Sequence, residues 1–82
     1  MRKVHIFIDD LFIWEGGRKR EVKKEMKEKI GEVVETHSSP WGLSAPYTIS
    51  LDYIDVRTDK DIKEVKRYAE EILGVPVIVR EL

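Results

Sequence analysis

Val4, Ile6 and Ile8 alternate with His5 and Phe7, and this period of two in β-branched and aromatic residues predicts a strand over residues 3–8. Asp9-Asp10 interrupts it before Leu11, Phe12, Ile13 and Trp14 resume the apolar run. One long strand with an irregularity is the favoured reading, because Asp9-Asp10 lacks the glycine of a two-residue hairpin. Gly16-Gly17 ends it. From Arg18 the period lengthens: Val22, Met26, Ile30, Val33 and Val34 make one apolar stripe on a helix running to about Thr36, with Lys and Glu on its other faces. Lys24 with Glu28, and Glu25 with Lys29, stand at the spacing of supporting ion pairs.

The segment from His37 to Pro46 is irregular and reads as a long connection. From Tyr47 to Arg57, Ile49, Leu51 and Tyr53 alternate with Thr48, Ser50 and Asp52; Ile54 and Val56 then invert the phase, which predicts a bulge near Tyr53-Ile54. Thr58, with Asp61 three residues on, resembles a helix cap in which the Thr58 hydroxyl accepts from an early amide. The second helix carries the stripe Ile62, Val65, Tyr68, Ala69, Ile72 and Leu73, and Gly74 and Pro76 stop it. Val77 to Arg80 is a last short strand. The order strand, helix, strand, helix, strand predicts one compact α/β domain over residues 1–82, with α+β as the alternative. Two helices would cover a three-stranded parallel or mixed sheet in two layers.

Composition adds a habitat. The 82 residues hold 15 Lys and Arg against 16 Asp and Glu, a net charge of −1, and no Cys, Asn or Gln. A charge-rich chain without thermolabile side chains reads as thermophilic. Without cysteine there is no disulfide, thiolate metal site or cysteine nucleophile. The first apolar run stops at Asp9, short of the roughly 7–15 residues of a signal peptide. No later run approaches the ~20 residues that span a bilayer. The expectation is a soluble, cytoplasmic protein without membrane contact or cofactor. A chain this short, without staples, gains buried area by self-association, so a homo-oligomer is expected.

The charge is unevenly placed. Arg18 to Lys29 holds seven cations and three anions, starting with Arg18, Lys19 and Arg20 in the first helical turn, where the macrodipole favours anions. With Gly16 and Gly17 opening the backbone, and Lys23, Lys24 and Lys27 following, this is the pattern of a phosphate contact surface. It lacks the spacing of a P-loop, and a solvated helix face is the competing explanation.

Three further constellations carry less. Asp9 and Asp10, joined by Asp52 or Asp55 if the strands are parallel neighbours, would hold Mg²⁺ for phosphodiester or phosphoryl chemistry; strand-ending acids are also common turn formers. His5 and His37 make at most a two-histidine site needing Asp or Glu; His37 past a helix end is explained by the dipole, and Ser38 or Ser39 beside it lacks a nucleophile motif. Trp14, Trp41, Tyr47 and Tyr53 are candidate stacking platforms, although Trp41 and Leu43 are better read as anchoring their loop or a subunit contact.

The function expected from these residues is a self-associating, non-enzymatic domain. It would bind nucleic-acid phosphate through Gly16, Gly17, Arg18, Lys19, Arg20, Lys23, Lys24 and Lys27. The alternatives are a purely structural assembly module, or a Mg²⁺-dependent enzyme using Asp9, Asp10 and Asp55.

Overall fold

A computed structural model describes residues 1–41 and 48–82, without the side chains of Trp41 and Thr48. The elements run β1 (Arg2–Ile8), α1 (Gly16–Lys29), β2 (Glu32–Trp41), β3 (Thr48–Thr58), α2 (Ile62–Leu73) and β4 (Val77–Glu81). The sheet order is β2-β3-β1-β4, with every neighbouring pair antiparallel. The domain is therefore α+β with a four-stranded antiparallel sheet, which overturns the three-stranded parallel or mixed α/β expectation. Each helix joins two parallel strands across an intervening antiparallel one, the split β-α-β connectivity of ferredoxin-like domains. That connectivity hosts many unrelated functions and assigns none.

The unforeseen strand is β2. Helix α1 stops at Lys29 rather than near Thr36, and residues expected to be helix and loop pair with β3 instead. Gly31 is the hinge: a Cβ there would lie 1.9 Å from the Arg57 carbonyl oxygen, so only glycine lets the chain pass β3 this closely. Beyond it Val33, Val34 and Thr36 are β-branched and lose rotamer freedom in a helix. The Ile30 and Gly31 amides share the Met26 carbonyl at 2.8 and 2.9 Å, and the Thr58 hydroxyl donates to the Ile30 carbonyl at 2.8 Å. Thr58 thus closes α1 from across the fold. It does not cap α2, where Asp61 Oδ1 accepts from the Glu64 amide at 2.9 Å.

The alternation in β1 holds, with Val4, Ile6 and Ile8 buried against the helices. The strand breaks at Asp9-Asp10, where Asp10 Oδ1 accepts from the Leu11 amide at 2.7 Å. Residues 12–14 then rejoin β3 through Leu51 N to Phe12 O and Trp14 N to Ile49 O, burying Phe12 and Trp14. Val22, Met26 and Ile30 of the predicted α1 stripe are buried; Val33 and Val34 belong to β2. In α2, Val65, Ala69, Ile72 and Leu73 are buried, and Gly74 closes the helix at φ 71°.

Two register shifts shape the β2/β3 pair. Val33 pairs Val56 while Glu35 pairs Asp55, and His37 pairs Tyr53 while Ser38 pairs Leu51. Val34 and Asp52 are therefore the extra residues. The second bulge lets Leu51 and Ile54 both reach the core, one step earlier than the phase inversion predicts.

Candidate functional site

Helix α1 buries Val22 and Met26 and exposes all eight predicted site residues: Gly16, Gly17, Arg18, Lys19, Arg20, Lys23, Lys24 and Lys27. Its N-cap, Glu15, makes no side-chain cap bond, and its first turn holds no acid. The early amides are left to solvent or a ligand. Gly16 needs to be glycine, at φ +57°, while a Cβ on either Gly16 or Gly17 would meet nothing within 4 Å. Helical spacing sorts the charges by sign. Arg20, Lys23, Lys24 and Lys27 follow i, i+3, i+4, i+7 along one stripe, and Glu21, Glu25 and Glu28 follow i, i+4, i+7 along another.

Arg18 lies 3.8 Å from Glu21, with its guanidinium 5.2 Å from the centre of the Phe12 ring. Among the described residues, no carboxylate lies within ion-pair distance of Lys19, Arg20, Lys23, Lys24 or Lys27. The Lys24/Glu28 and Glu25/Lys29 pairs anticipated from spacing are not closed either.

The acidic constellation is dispersed. Asp9 and Asp10 are exposed beyond β1, whereas Asp55 is buried within β3 and bonded to His5. Because β1 and β3 are antiparallel, their carboxyl ends lie at opposite edges, which removes the geometry that would have gathered Asp9, Asp10 and Asp55. Among the described residues, no group of three or more His, Asp or Glu side chains is placed to hold a metal ion.

The chemistry the sequence reading missed stands on the sheet face turned away from the helices. In register across the strands, His37, Tyr53, Phe7 and Ile78 form one row, and Glu35, Asp55, His5 and Arg80 form the next. His5 Nδ1 donates to Asp55 Oδ1 at 2.6 Å and His37 Nδ1 to Asp52 Oδ2 at 2.8 Å, since an ionised carboxylate can only accept. His37 belongs to β2 and not to a helix end, so the helix dipole does not explain it. The Tyr53 ring lies between the two imidazoles, stacked on His37 at 5.3 Å and tilted to His5 at 4.6 Å. Desolvation, and then Glu35, Asp55 and Asp52, push the Tyr53 phenol above its ordinary 10.0. The Ser39 hydroxyl donates to Asp52 Oδ1 at 3.2 Å, so serine and imidazole share one acceptor and do not form a nucleophile-base contact.

Of the aromatics, Trp14 is core and Tyr53 lies on the open face. The packing expected of Trp41 and Leu43, and the role of Tyr47, fall outside the described residues. The signal for the open face is present in β1, where His5 and Phe7 must oppose Val4, Ile6 and Ile8; which residues join them depends on strand pairing. Among the described residues, no helix is long and apolar enough to cross a membrane. Comparison with protein-family models, curated proteins and solved structures finds no match to this chain.

Proposed function

We propose that the chain is a non-enzymatic domain of a heat-adapted cytoplasm that binds the phosphate backbone of nucleic acid through α1. The observation that carries this reading is the stripe Arg20, Lys23, Lys24 and Lys27, exposed along one side of the helix without carboxylate partners among the described residues. A face serving solubility alone has no need to segregate its signs. The uncapped N-terminus and the open space beside Gly16 and Gly17 support the same reading, since both leave backbone amides approachable by an anion. Lys19 extends the positive surface and Arg18 borders it. Contacts to phosphate alone carry no sequence information, so duplexes of different sequence bind alike.

Titration of single- and double-stranded nucleic acid across salt concentrations tests this. With four phosphates neutralised, log K falls with log salt at a slope of about −3.6 on B-form DNA. No retention at low salt, or retention unchanged by K23E/K24E, removes the proposal. A second reading, an assembly module whose basic helix does nothing beyond solubility, is favoured by Phe7, Val34 and Ile78, each 42–43% exposed. Sedimentation separates the two: a defined oligomer indifferent to nucleic acid supports assembly.

A further inference from the structure

The open sheet face holds a pocket of ≈ 200 Å³ lined by His5, Phe7, Ile78 and Arg80, side chains that serve neither the core nor α1. Its walls are of two kinds. Phe7 and Ile78 pair across β1 and β4 and are 42% and 43% exposed. Large apolar side chains held open in mid-strand invite a flat, apolar surface against them. His5 and Arg80 pair in the adjacent register position; the Arg80 guanidinium brings N–H donors, and the His5 imidazolium adds one at Nε2.

The imidazole is fixed. Its Nδ1 donates to Asp55, whose side chain is 7% exposed, so Nε2 is the nitrogen left for a ligand, and it donates to an anion when the ring is the imidazolium held between that carboxylate and the anion. Arg80 has no carboxylate within ion-pair distance among the described residues. A guanidinium beside an oriented imidazole matches the oxygens of a phosphate, and the apolar wall matches a planar ring on the same molecule.

We propose that this pocket binds a nucleotide, with the phosphate on Arg80 and His5 Nε2 and the base against Phe7 and Ile78. The site is independent of α1, which packs on the other side of the sheet. Inorganic phosphate leaves the apolar wall uncovered, and a nucleoside leaves the guanidinium unused. A wholly apolar partner surface would bury the guanidinium without an anion, which is costly.

The test is calorimetric titration of the full chain with AMP, adenosine and inorganic phosphate, with the His5 imidazole signals followed by NMR. AMP should bind at least about tenfold more tightly than either fragment and shift His5. R80A should weaken AMP toward the affinity of adenosine, and F7A should weaken it toward that of phosphate. Both side chains are exposed, so the fold should tolerate both changes. R80K, which keeps the charge but loses the planar fork, should fall between wild type and R80A. K23E/K24E should leave AMP binding unchanged, so that failure of the pocket and failure of the α1 reading are told apart. An oligothymidylate competing with AMP would place the nucleotide within a single strand; no competition would assign the pocket to the free nucleotide. AMP bound no more tightly than phosphate, or AMP binding insensitive to R80A, overturns the proposal. So does a dimer abolished by F7A and indifferent to AMP, which would give the face to a second copy of the chain.

Discussion

Thr58 shows how one hydroxyl can hold a chain reversal. It is 1% exposed, donates to the Ile30 carbonyl, and accepts from the Lys60 amide at 3.0 Å. T58V keeps the shape and strands both backbone groups, so it should lower unfolding free energy by about 1–3 kcal/mol in denaturant titration. A loss indistinguishable from zero would mean that the two bonds do not hold in solution. Tyr53 offers a pH-dependent test. Its phenol ionises above 10.0 in the folded chain and near 10.0 when unfolded. Between those values the unfolded chain has given up a proton that the native chain keeps, so its contribution to stability is present below pH 10 and is lost as pH rises through the folded value. Ultraviolet titration of phenolate, referenced to Y53F, should show the Tyr53 midpoint moving toward 10.0 in E35Q and in D52N. Recovery is partial, since desolvation is the larger cause. An unmoved midpoint would exclude those carboxylates as contributors.

At the scale of elements, the two helices begin differently. Helix α2 has a closed N-cap in Asp61, and D61A should cost about 1 kcal/mol of stability by thermal or denaturant unfolding. T58V should weaken the α1/β2 junction and leave that cap intact. Helix α1 begins on bare glycines. Gly17 is not at positive φ and has free space around a would-be Cβ. G17A should therefore stabilise the fold by about 0.4–1 kcal/mol, while weakening nucleic-acid binding if the bare backbone is where phosphate approaches. Stabilisation with undiminished affinity would move the phosphate contact away from the N-terminus and onto the lysine stripe.

For the whole molecule, both helices pack on one side of the sheet, so the stripe of α1 and the pocket of His5 and Arg80 face opposite ways. A ligand on one need not disturb the other. The charges divide similarly. Four more cations than anions lie within α1 in a chain whose total is −1, so the remainder is acidic and duplex binding should be confined to the helical side. Chemical-shift mapping with a duplex at low salt should perturb the α1 amides and spare Phe7 and Ile78. Perturbation spread evenly over both faces would contradict two separate surfaces.

What the sequence determined by itself was local and periodic. The alternation in β1, the apolar stripe and glycine stop of α2, and the short β4 need only neighbours in the chain, and all three formed as their spacing predicts. The tertiary structure alone decided β2. Ile30, Val33 and Val34 stand at helical spacing, so local pattern favoured a longer helix, whereas the contact of Gly31 with the Arg57 carbonyl that ends it spans 26 positions. The same limit applied to the open face. His5 meets Asp55 across 50 positions only because β1 pairs antiparallel with β3. Periodicity along a chain assigns side chains to a face, and the partner each one meets there is set by the register of strands far away in sequence.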